Sequence, residues 1–103
     1  MTTTTSKIAY EQLVLRLERN HKCVLDLAKN LNSYKYEPKN YECLVKLREL
    51  KMAFSDLASK QMVLFDEIQH DSLRFEMATA MVEDSIKEYQ SLEKDMAEYL
   101  LSL

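Results

Sequence analysis

Residues 40–103 read NYECLVKLRELKMAFSDLASKQMVLFDEIQHDSLRFEMATAMVEDSIKEYQSLEKDMAEYLLSL. In this stretch the series Cys43, Leu47, Leu50, Phe54, Leu57, Gln61, Leu64, Ile68, Asp71, Phe75, Ala78, Val82, Ser85, Tyr89, Leu92, Met96, Tyr99, Leu103 alternates steps of four and three without a slip. Only Gln61, Asp71 and Ser85 in it are not apolar. A 3,4 repeat held this long marks helices packed in the manner of a coiled coil.

Two architectures satisfy the repeat. In the first, the chain breaks near Gln69-His70-Asp71-Ser72, where Asp71 and Ser72 offer helix-start chemistry, and folds into an antiparallel three-helix bundle. In the second, one continuous helix runs through 40–103 and only its first half packs on a shorter first helix. The unbroken phase and the absence of Gly or Pro favour continuity; the length match with the first helix favours the bundle, which is the expectation adopted here.

Upstream, Tyr10, Leu13, Leu17, Val24, Leu27 and Leu31 recur at helical spacing, interrupted at Asn20, with Ser6 as a plausible N-cap. Helix 1 is expected at about 8–32 after a flexible segment 1–7. A reversal is expected at 33–39, where Asn32, Ser33 and Pro38 supply turn chemistry. Helix 2 then covers about 40–69 and helix 3 about 72–102, in one all-α domain.

The chain of 103 residues contains no glycine, where about seven would be average. Phosphate-cradling loops, dinucleotide fingerprints, nucleophile elbows and glycine hairpins all need residues free to take positive φ, so all are excluded. The net charge of −3 argues against a non-specific grip on nucleic acid. That charge is graded: residues 1–36 balance to +3, 37–70 to −1 and 71–103 to −5. A basic first helix beside an acidic last one would attract. With no secretory signal, no long apolar run and no lipidation motif, the two cysteines read as reduced thiols in a cytoplasmic setting. A crescent-shaped membrane-binding dimer would need a basic face, and only helix 1 is basic, weakly.

Three chemistries are testable against the spacing. Glu18…His21 and Glu67…His70 repeat the E-x-x-H pattern of carboxylate-bridged di-iron bundles. Such sites also need glutamates from two further helices. A hairpin turning near residue 36 would place His21 opposite residue 51 and hold the two motifs about 28 Å apart along the axis. No metal or other cofactor is therefore expected. Phosphotransfer bundles present an exposed His followed by Lys and Gly, which neither histidine matches. Cys23 and Cys43 are expected to be small buried or half-buried hydrophobes, about 12 Å apart in level and beyond disulfide reach.

Asn20, Gln61, Asp71 and Ser85 interrupt the apolar seams and are expected to set register, as single polar seam residues do. A second apolar row (Leu44, Ala58, Phe65, Ile86, Leu100) flanks the seam, and Met62–Phe65 is apolar through a full turn. Tyr10, Tyr34, Tyr36, Tyr41 and Tyr99 fall near helix ends, where rings pack and hydroxyls stay wet. The expected function is a non-enzymatic helical protein-interaction module, a scaffold or adaptor subunit of a coiled-coil assembly or a homo-oligomer. Its expected contact surface is Leu64, Phe65, Ile68, Phe75, Met81, Val82 and Ile86. A small metal-binding or phosphotransfer bundle is the alternative.

Overall fold

The computed structural model describes residues 3–33, 37–70 and 73–103. Three helices, α1 (Thr3–Asn30), α2 (Tyr41–Gln69) and α3 (Phe75–Leu101), pack against one another in an all-α three-helix bundle with overall extents of 59 × 19 × 18 Å. The single long helix is thereby excluded. α2 stops at Gln69, where the backbone N–H of His70 bonds back to Asp66 and the His70 Nδ1–H donates to the same carbonyl at 2.8 Å. A side-chain donor on a last-turn carbonyl is one way a helix closes without glycine. α3 starts at Phe75 rather than 72, after an extended Arg74 whose side chain makes no cap bond. Asp71 and Ser72 lie outside the described residues.

At the other end of α2, the Asn40 side chain accepts from the Cys43 N–H at 2.9 Å, the bond an Asn N-cap makes. α1 begins at Thr3, so residues 3–7 belong to the helix and Ser6 lies inside it. Propagating an existing helix adds a backbone bond per residue, and nothing between Thr3 and Ile8 interrupts it.

Every buried residue of α2 (Cys43, Leu47, Leu50, Phe54, Leu57, Gln61, Leu64, Ile68) lies on the 3,4 series, as do Ala78, Val82, Met96 and Tyr99 of α3. The core has two apolar clusters. One joins Leu13 and Leu17 to Leu64, Ile68, Ala78 and Val82; the other joins Val24 and Leu31 to Leu47, Leu50, Phe54, Leu57, Met96 and Tyr99. Ala78, fully buried, lets α3 come close where the larger Leu13 and Leu17 need room. The flank residues Leu44, Ala58, Phe65, Ile86 and Leu100 are all half-buried, as the outer row of a bundle helix facing two neighbours should be. Tyr10 packs edge-on to Phe75 with centroids 5.0 Å apart and donates to the Leu73 carbonyl, tying the start of α1 to the α2–α3 turn.

The hairpin register differs from that of a tight turn. Gln61, not residue 51, stands opposite Asn20 and His21. The connection from Leu31 to Asn40 consumes about ten residues, so α2 runs about 15 Å past the end of α1. Leu31 is buried with the overhanging α2 residues Cys43 and Leu47.

Truncating the core has a defined cost. Phe54→Ala, at a fully buried side chain, should lower the unfolding free energy by about 3–5 kcal/mol in urea titration. Met52→Ala, two residues away and exposed, should change it by less than about 0.5 kcal/mol.

Candidate functional site

Between the two apolar clusters lies a polar layer made by all three helices. Gln61 has no solvent exposure. Its Nε2 donates to Asn20 Oδ1 at 2.8 Å and to Ser85 Oγ at 2.9 Å, while its Oε1 accepts from His21 Nδ1 at 2.8 Å. An amide oxygen can only accept, so His21 carries a proton on Nδ1. The His21 ring also meets the Phe65 ring edge-on, centroids 5.7 Å apart. Among the described residues no buried side-chain nitrogen or oxygen lacks a partner. A polar set of this kind tolerates only one relative height of the three helices, because sliding any of them strands a buried donor or acceptor. Three of the four expected seam residues, Asn20, Gln61 and Ser85, thus meet in one place; Asp71 lies outside the described residues. The sequence offered His21 as a metal-ligand or phosphotransfer candidate, not as a member of the polar seam. Its place in the layer follows from the register offset, which puts it across from Gln61.

The revised register brings the two E-x-x-H motifs nearer, since His21 is level with Gln61 and His70 is nine residues on, about 13 Å along the axis. That still exceeds the reach of one metal. His21 Nδ1 is engaged by Gln61, and His70, exposed at the end of α2, lies 3.2 Å from Asp66 Oδ1. Glu18 lines the groove beside His21, while Glu67 faces the opposite groove, between α2 and α3. Among the described residues no three His, Cys, Asp or Glu side chains converge.

Both thiols are free, and their environments differ. Cys43 is buried as expected, but Cys23 is exposed, a correction that follows from its place at the α1–α3 edge rather than on the α1 seam. Beside it on α3 stands Tyr89, whose hydroxyl donates to Glu93 at 3.2 Å. Burial, then the Glu93 carboxylate, then Cys23, push the Tyr89 phenol up to about 12. Tyr99, expected to keep a wet hydroxyl, is almost fully buried, because α2 overhangs α1 and packs on the end of α3; Tyr34 and Tyr36 lie outside the described residues. The charge gradient is not realised, among the described residues, as ion pairs between α1 and α3. Among the described residues the one bridge between helices is Lys60–Glu88 at 3.3 Å, joining α2 to α3.

The expected contact surface is redistributed. Leu64, Ile68 and Val82 are buried in the bundle's own core, and Phe65, Phe75 and Ile86 are half-buried against it. These six pack within the chain, because periodicity alone does not separate a seam filled by the same chain from one filled by another. Met81 alone stays open, 40% exposed. The open apolar surface lies one step outward. Met62 and Val63, each 57% exposed, stand side by side on α2 and face different grooves. Met62 joins Leu25 and Phe65 in the α1–α2 groove. Val63 joins Leu64 and Met81 in a mainly apolar groove of about 740 Å³ between α2 and α3, whose floor includes Ser85 of the polar layer.

Comparison with protein-family models, curated proteins and solved structures finds no match to this chain. No helix among the described residues is long and apolar enough to cross a membrane.

Two outcomes check this geometry. Gln61→Leu should destabilise the bundle by about 1–3 kcal/mol despite its added apolar surface, because it strands Asn20, Ser85 and His21. In alkylation kinetics Cys23 should react freely in the folded protein, while Cys43 should react only at the rate of unfolding.

Proposed function

We propose that the chain is a non-enzymatic helical interaction module, a scaffold or adaptor subunit whose outer grooves receive helices of a larger coiled-coil assembly. The observation that carries this reading is the pair Met62–Val63 with Met77 and Met81, large apolar side chains left open although the core beneath them is already filled. Side chains in that position contribute nothing to folding that smaller polar residues would not. They are adaptable contact material, methionine above all. The reading places the chain in the cytoplasm, where free thiols such as Cys23 persist. Protein, rather than nucleic acid, is the partner class, because the α2–α3 groove is walled by Glu67, Asp84 and Glu88 against Lys60.

The native mass tests it. Recovered gently from the cells that make it and sized under native conditions, the chain should run as a defined complex well above its own 12.1 kDa. Val63→Asp with Met62→Asp should release it without unfolding it. A bare monomer in the native extract would overturn the reading; sedimentation of the pure chain separates self-association from assembly with another protein.

A further inference from the structure

The groove beside Val63 and Met81 is followed, nearer the other end of the bundle, by a second hollow between the same two helices, floored by Leu50, Ala53, Leu92 and Tyr99. Together they follow α2 from Lys46 to Glu67, about 30 Å, room for a helix of about 20 residues. The α3 wall presents Asp84, Glu88, Asp95 and Glu98 and no basic side chain. The α2 wall alternates Lys46, Glu49, Lys60 and Glu67, and Lys60 is already engaged by Glu88. The other grooves differ: the α1–α3 groove shows Arg16 and Arg19, one α1–α2 groove shows Glu11 and Glu18 on α1, and the other mixes Glu18 and Asp66 with Lys22.

We infer that the α2–α3 groove is the docking site for an amphipathic helix of another protein, one whose apolar stripe is bordered by lysine and arginine on the side that lies over α3. The inference rests on the interaction-module reading and names the chemistry of the partner. The seated helix lays its stripe on Val63, Met81 and Leu92 and completes a four-helix bundle. Apolar burial supplies the affinity, and the one-signed α3 wall selects the partner and its orientation. The opposite border of that helix faces Lys46 and Lys60 as well as two glutamates, so it tolerates either sign. A second copy of this chain fits less well, because its exposed α1 side chains Leu15, Arg16 and Arg19 are interspersed with Glu11, Glu18 and Asp26.

Two designed helical peptides of about 21 residues serve as probes, with the same leucine stripe and either Lys/Arg or Glu borders, titrated into the full-length chain by fluorescence anisotropy. The basic peptide should bind at least tenfold more tightly than the acidic one, and the gap should shrink as salt rises. Val63→Asp with Met81→Asp should weaken the basic peptide at least tenfold while the thermal melt stays within a few degrees, since both side chains are exposed. Asp84→Lys with Asp95→Lys should reverse the preference. Equal binding of the two peptides, no binding, or binding undiminished by the Val63/Met81 variant would overturn the inference. If the pure chain instead dimerises through this groove, losing the dimer with the Val63/Met81 variant, the foreign basic helix is wrong and the interaction module stands. A monomer in the native extract removes both.

Discussion

One buried side chain is hydrogen-bonded to both of the neighbouring helices. Gln61, with no exposure, bonds to Asn20 and His21 on α1 and to Ser85 on α3. The apolar clusters on either side of it supply most of the stability, but apolar contacts are weakly directional and would accept a helix shifted by a turn. The polar layer does not accept it, because each donor or acceptor left without its partner in a dry interior costs about 1–3 kcal/mol. The layer is formed at the same relative helix height at which α2 overhangs α1 and Tyr99 is buried.

The link from core to surface is direct at Ser85, which accepts from Gln61 on one side and lines the groove on the other. A shift of α3 against α2 would move the acidic wall of Asp84 and Glu88 relative to Val63 and dismantle a one-signed border. The proposed docking groove is therefore tied to a hydrogen-bonded layer that lies beneath it. The seam positions are filled by the chain itself, and the apolar side chains left open beside this groove, Val63 and Met81, belong to the next row outward.

Much of the fold was legible because burial repeats with a fixed step. The 3,4 series marks every buried residue of α2, and the polar interruptions at Asn20, Gln61 and Ser85 marked the layer before their meeting was visible. The same regularity misled about continuity. The phase from Ile68 to Phe75 survives the break between α2 and α3 because both helices turn their seams to one core, not because the helix continues. What could not be read was height. The connection from Leu31 to Asn40 is longer than a tight turn, and ten residues of offset moved His21 from the level of residue 51 to that of Gln61. With that offset went the level of Cys23 and the coverage of Tyr99. Nor could the sequence show which apolar residues the chain covers itself, since Leu64, Ile68 and Val82 have the same periodicity whether their own chain or another covers them.

The claim that the polar layer sets register is tested most directly by removing it whole. In the quadruple variant Asn20→Leu, His21→Leu, Gln61→Leu, Ser85→Ala no partner is stranded, so helicity and thermal stability should equal or exceed those of the parent. The ¹H–¹⁵N correlation spectrum should nevertheless show more than one resonance set, or exchange broadening, for residues along the α1–α2 and α2–α3 seams. A single sharp set with parental contacts across those seams would contradict the account and assign register to apolar packing alone.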